Sequence, residues 1–378
     1  MRHIVQRNRN FSLHSSPQTF VYSPERIIFV TRSHQSVTIM KHIRFIYLLT
    51  ILPALAACTP KTESPIGEAI ARIHESVAEA IAEVVEKEIR PEDIRLEKAL
   101  LYDKYTLADT YPYKDTTRRF QWEKVKERLA LLENLQRKPA QWCILQNYKN
   151  RNGEAPLVKR FRRDAYKRIA DTLGVERYQG IPLFLPADTL TAERYGLDGL
   201  LTRHLGEAGT FTRVEPVFIG GEWYTPTRYV RLIPDTAVFH KAIFVDRRNQ
   251  HIATLERKDE GLWLIRSMNP ATTGRRRPPY AQETPLGMFV LQEKKKRMIF
   301  LKDGSTATGG FAPYASRFNN GGYIHGVPTN APATGVIEYS YTLGTIPRSH
   351  MCVRNATSHA KFIFEWAPVN ETIIFVLE

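Results

Sequence analysis

Cysteine is scarce in this chain: three in 378 residues, Cys58, Cys143 and Cys352. Three thiols spaced so far apart exclude a disulfide-stapled scaffold. No H-E-x-x-H and no paired C-x-x-C occurs, and the histidines are scattered, so no metal site is expected and a zinc amidase is disfavoured. A phosphate loop and a G-x-G-x-x-G fingerprint are missing too, which removes the common nucleotide-binding classes. The apolar run that follows Arg44 is too short to span a bilayer. No cofactor is expected from any of this.

Positive charge is plentiful, with a formal net charge of +15. Part of the excess lies at the start of the chain. Residues 1–39 are polar and rich in Arg, Ser and His, with no sustained helical or strand period. Met40 then opens "MKHIRFIYLLTILPALAAC": a basic start, an apolar stretch and small residues before Cys58, the pattern of an export signal. "LAAC" resembles the lipobox of bacterial lipoproteins, which implies cleavage before Cys58, lipidation of its thiol and attachment to a membrane. Translation is therefore expected to begin at Met40, with 1–39 a mis-annotated or disordered leader. Basic proteins often bind nucleic acid. The export route argues against nucleic acid here, and an anionic wall polymer or a membrane surface fits better. Single runs such as Lys294–Arg297 read as solvated surface.

The expected architecture is α+β: signal 40–57, tether and helical region 58–140, β module 141–235, and a mostly β domain 236–378. In the helical region Ile66, Ile70, Ile73, Val77, Ile81 and Val84 recur at spacings of three and four before Pro91. A second helix is expected across "TRRFQWEKVKERLALLENLQ", with Trp122, Val125, Leu129 and Leu132 on one face. "GGEWYTPTRYVRLI" resembles the end of a bacterial SH3-like barrel. Beyond Asp235 strands dominate: "KAIFVDRRNQHIATLE" as strand, turn, strand; "GLWLIRSMNPATTG" as strand then loop; "GMFVLQEKKKRMIFLKD" as a strand pair; "KFIFEWAP" and "ETIIFVLE" as two more. Thr284-Pro285 with Gly287 reads as a turn delivering a strand, "GRRRPP" as a solvated loop, and His359 as a surface or helix-start histidine.

The chemistry concentrates around Cys352. A thiol becomes a nucleophile when a nearby histidine takes its proton or pairs with the thiolate. His325 lies upstream in "YIHG"; His350 precedes Cys352 by two residues and would share its face on a strand. Sequence physics leaves both open, and an exported compartment leaves a Cys143–Cys352 bridge open too.

"ETPLGMF", "YIHG" and "SHMCVRN", in that order, resemble the L,D-transpeptidase (YkuD-like) catalytic domain across roughly 240–378. The resemblance implies Cys352 as nucleophile, His325 as general base and Gly326 orienting the imidazole through its carbonyl. It implies that Ser349 and His350 shape the pocket, with Arg354 holding an anionic group or bracing the loop. The implied substrate is a peptidoglycan stem peptide, cross-linked 3→3 through a thioacyl-enzyme in the cell envelope, facing the periplasm. Alternatives are an L,D-carboxypeptidase, an exchange enzyme attaching a D-amino acid or a protein, and a non-catalytic wall-binding lipoprotein. Two departures stand out. Met351 replaces the family's glycine beside the oxyanion donors, and "VPTNAPATGVIEYSYTL" reads as an inserted lid or substrate wall.

Overall fold

A computed structural model describes residues 88–378 together with Arg72. The leader, the signal, Cys58 and nearly all of the first expected helix lie outside the described residues. The chain runs through β1 (Arg95–Lys98), a hairpin (Thr110–Tyr113 with Thr116–Arg119) and α1 (Trp122–Arg137). Next come β2 (Gln141–Leu145), β3 (Leu201–Ala208), β4 (Phe211–Pro216), β5 (Trp223–Pro226) and β6 (Val230–Leu232). The remainder is β7 (Lys241–Asp246), β8 (His251–Asp259), β9 (Leu262–Pro270), β10 (Gly287–Val290), β11 (Glu293–Leu301), β12 (Thr308–Asn319), β13 (Gly322–His325), β14 (Val353–Arg354), α2 (Thr357–Trp366) and β15 (Thr372–Leu377).

The central sheet has the order β1-β9-β8-β7-β15-β10. Strands β7 and β15 pair in parallel at its middle, Lys241 against Thr372 through Asp246 against Leu377. Covered on both faces, they read as continuous apolar runs rather than alternating ones. Phe244, Phe375, Ile373, Leu255 and Trp263 join one core with Val125, Leu129 and Leu132 of α1. Ile243, Val245, Ile374 and Val376 join another with Phe318, Ile324, Val353 and Ile363. Each fully buried side chain of this size contributes roughly 1.5–3 kcal/mol. Glu133 fixes α1 to the sheet: buried, it accepts from the Trp263 indole at 2.7 Å and pairs with Arg257 at 2.9 Å. A buried carboxylate is tolerated only with such partners.

The second sheet, β5-β4-β3-β2-β6, covers much of the segment expected as a β module. Its two edge strands, β5 and β6, are separated in sequence only by the 3-10 turn Thr227–Tyr229. A flat five-stranded sheet would hold its edges roughly 19 Å apart, and a three-residue 3-10 turn spans about 6 Å. The sheet therefore curls toward a small barrel. Residues 146–200, between β2 and β3, form a long excursion with its own small cores.

Three expectations need correction. Thr117–Arg119 belong to the hairpin, and α1 starts at Trp122. There Arg118 stacks on Tyr113 at 3.5 Å and donates to the Thr345 carbonyl, contacts a helix would forfeit. "GMFV" and "EKKKRMIFL" are both strands, but they pair with β15 and β12 respectively, in different sheets. "KFIFEW" is helical. Its alternating Phe362, Phe364 and Trp366 suggested a strand, whereas the buried set Thr357, Ala360, Ile363, with His359, follows helical spacing.

Candidate active site

The third sheet, β11-β12-β13-β14, packs over the second core and carries the site. Strands β13 and β14 run parallel, Ile324 opposite Val353 and His325 opposite Arg354. Side chains alternate faces along a strand, so Cys352, one step before β14, emerges on the face shared by His325 and Arg354. Strand pairing thus brings together groups that lie far apart in sequence.

His325 is almost fully buried, and its Nδ1 lies 2.6 Å from the Gly326 carbonyl. A carbonyl only accepts, so Nδ1 carries the proton and Nε2 presents a lone pair. Burial pushes this histidine down to about 4, against the opposing pull of the Gly326 carbonyl, with Arg354 adding to the depression. It is neutral at neutral pH. Gly326 has a packing reason for its identity, since a Cβ there would sit 2.5 Å from Thr357 Oγ1.

The Cys352 thiol donates to the Gly321 carbonyl at 3.4 Å. Burial raises its pKa, opposed by a hydrogen bond from the Tyr323 amide and by the Arg354 charge. Thiol and imidazole are therefore both neutral at rest, sharing a face without a direct hydrogen bond between them. The two remaining cysteines within the described residues are free, so no Cys143–Cys352 bridge forms.

The loop before Cys352 is held from several sides. The Arg348 and Ser349 amides donate to the Thr273 carbonyl at 2.9 and 3.1 Å, and the Arg275 amide donates to the Ser349 carbonyl at 3.0 Å. Ser349 is buried and its hydroxyl donates to the Cys352 carbonyl. Met351 has φ +140°, backbone territory that favours glycine. Its carbonyl accepts from Thr284 Oγ1 at 2.7 Å, and Thr284 Oγ1 accepts from the Gly274 amide at 2.8 Å. A Cβ on Gly274 would lie 2.7 Å from Met351 Cα, so that glycine is what lets the two loops approach. Methionine thus occupies the glycine-like conformation because its neighbours hold the loop there. Sequence reading treated Thr284-Pro285-x-Gly287 as a turn, and β10 does start at Gly287. The bracing role of the Thr284 hydroxyl had no signal in the sequence.

His350 is half exposed, its Nε2 3.0 Å from the Asp303 carboxylate, an exposed ion pair when protonated. Arg354 Nε and Arg275 Nε are buried without a hydrogen-bond partner. Arg275 and Arg348 are close enough to depress the Arg354 pKa, although its own burial is the larger cause. Three guanidinium groups gathered at Arg354, with no carboxylate paired to them among the described residues, make a positive patch that the sequence showed only as Arg354. His359 does lie near the start of α2, one of its two expected places, but fully buried rather than at the surface, and it bonds the Ser267 hydroxyl at 2.9 Å. The segment 327–343 is mostly irregular and exposed, anchored by Val327 and Leu343 against Ala356.

No curated protein sequence matches the chain. Among solved structures, a fused Zn-dependent amidase/peptidase/peptidoglycan-binding domain-containing protein from Clostridium acetobutylicum is 20% identical over 36% of this chain and 51% of its own, with a TM-score of 0.27. The chain thus spans about half the length of that relative. An L,D-transpeptidase from Mycobacterium smegmatis is 13% identical over 47% of this chain and 90% of its own, at 0.30. One from Mycobacterium tuberculosis is 16% identical over 48% and 92%, also at 0.30. Residues 240–376 match the YkuD family, the L,D-transpeptidase catalytic domain. That matched segment holds Cys352, His325 and the loops that brace them.

Proposed function

We propose that the chain is a cysteine acyltransferase acting on peptidoglycan stem peptides and forming 3→3 cross-links. The observation that carries this reading is the β13–β14 register, which sets His325 and Cys352 on one face, with Nδ1 tied to Gly326 and Nε2 left to accept a proton. Cys352 Sγ attacks the amide carbonyl before the terminal D-alanine as Nε2 takes the thiol proton. The Cys352 backbone N–H supports the oxyanion, the C–N bond breaks, and the imidazolium protonates the departing D-alanine amine. The resulting thioester is then attacked by an amine of a second stem: a new C–N bond forms, C–S breaks, and the amine proton returns through His325 to sulfur. Both groups are neutral before substrate arrives, so the proton passes from the thiol to Nε2 only as the new C–S bond forms. Arg354, Arg275 and Arg348 hold substrate carboxylate beside the thiol.

Water in place of the second amine would give an L,D-carboxypeptidase. The binding-only alternative rests on Met351, and that residue adopts the glycine-like φ of +140° with no reacting group displaced, which favours the catalytic reading. Export as a lipoprotein, anchored through Cys58 and facing the periplasm, is part of the same proposal. Intact-protein mass spectrometry after incubation with a stem tetrapeptide tests it: the protein gains one acyl group at Cys352. An unmodified Cys352 contradicts it.

A further inference from the structure

A cavity of about 600 Å³ adjoins the nucleophile loop, and its walls come from three parts of the chain, among them Pro279, Tyr280 and Gln282. One part is Asn320, Gly321, His350 and Met351, and Gly321 is the residue whose carbonyl receives the Cys352 thiol. Another belongs to residues 154–179, in the excursion between β2 and β3 and outside the 240–376 family match. This wall is built rather than incidental. Arg163 sits on a two-residue strand paired with Ile169, and Asp164 Oδ1 closes the turn by accepting the Tyr166 and Arg168 amides at 2.9 Å. Lys167 takes a left-handed φ of 61° on that turn, and Arg168 Nη1 ties it to the Pro279 carbonyl of the 274–282 loop at 3.3 Å.

The charges on this wall do not cancel. Glu154 is paired with Arg177 at 3.2 Å, and Arg168 with both Glu176 at 3.0 Å and Asp164 at 2.9 Å. Arg163 and Lys167 have no acidic partner among the described residues, yet both line the cavity, with the exposed rings of Tyr178 and Tyr280 alongside. Cys352 therefore adjoins two positive regions, the Arg275–Arg348–Arg354 patch of the catalytic domain and this one. Hydrolysis requires one stem peptide; transfer requires two, each bearing carboxylates.

We propose that residues 154–179 form an acyl-acceptor subsite, in which Arg163 and Lys167 bind a carboxylate of the second, amine-bearing stem peptide. The inference rests on the acyltransferase reading above and assigns the acceptor to a segment outside the matched domain. Held there, the acceptor amine attacks the Cys352 thioester, forming C–N and breaking C–S, with its proton returned to sulfur by way of His325.

The test measures the ratio of cross-linked dimer to hydrolysed tripeptide formed by the full chain, with acceptors whose carboxylates are free or amidated. The R163A/K167A double variant is expected to lower that ratio about three- to tenfold with the free-carboxylate acceptor and to leave it unchanged with the amidated one. R163K/K167R restores it, and Lys361→Ala, remote from the cavity, leaves it as it was. A ratio unchanged by R163A/K167A, or lowered equally for both acceptors, overturns the subsite. If the native chain forms no thioester, the acyltransferase reading is what fails. The subsite is then read by equilibrium binding of the same two acceptors to Cys352→Ala protein, with the same selective loss expected in R163A/K167A and no loss contradicting it.

Discussion

Cys143 and Cys352 are both free, and burial raises the pKa of both. Cys143 lies in β2, wholly enclosed in the barrel, its thiol pushed up to about 12. Cys352 ends a braced loop, partly open, with a Tyr323 amide, the Arg354 charge and the His325 face around it. Burial alone therefore does not separate a structural cysteine from one proposed as a nucleophile. The difference lies in the polar groups that can take the thiol proton and hold the charge left behind.

The comparison can be broken by labelling. In native protein a small alkylating reagent should modify Cys352 at least ~100-fold faster than Cys143, with the two rates converging on unfolding. Because burial raises the resting Cys352 value, its rate should keep climbing through the alkaline range above that of an ordinary cysteine. A plateau near neutral pH would reveal a resting thiolate–imidazolium pair and contradict the neutral pair described above.

A second prediction concerns the region around the site. His325 is held neutral near pKa 4 and His359 near 3, both by burial, below the ~6.5 of an unfolded chain. The unfolded state takes up these protons first. Their contribution to stability is therefore complete above pH 6.5 and is lost as pH falls through about 4 for His325 and about 3 for His359, roughly 3 kcal/mol or more each. Denaturant melts from pH 7 to 4 should show the loss, and His325→Gln should remove its share. A flat profile would contradict the buried, neutral assignment.

The smallest effect isolates Met351. Alanine normally outranks glycine within structure, but at φ +140° the order should reverse. Met351→Gly is expected to be more stable than Met351→Ala by about 1–2 kcal/mol in chemical denaturation. The opposite order would mean the loop relaxes when the side chain is removed.

The groups that the fold gathers around Cys352 were legible in sequence where they lie in short motifs. The cysteine, the His-Gly pair and the Ser-His flank are short and contiguous, and β7, β8, β9 and β15 announce themselves by apolar β-rich runs. Packing decisions were not legible. Whether Phe362, Phe364 and Trp366 lie along a strand or around a helix depends on what Ile363 and His359 meet. The partner of "EKKKRMIFL" depends on which edge is vacant. Likewise, Thr284 braces Met351, and Arg275 and Arg348 gather near Arg354, only because distant loops converge.

The central claim is most directly tested by release of D-alanine from a stem tetrapeptide. The native chain is expected to release it, Cys143→Ala to release as much per folded molecule, and Cys352→Ala to lose at least ~10³-fold. No release by the native chain, or as much from Cys352→Ala, would contradict it.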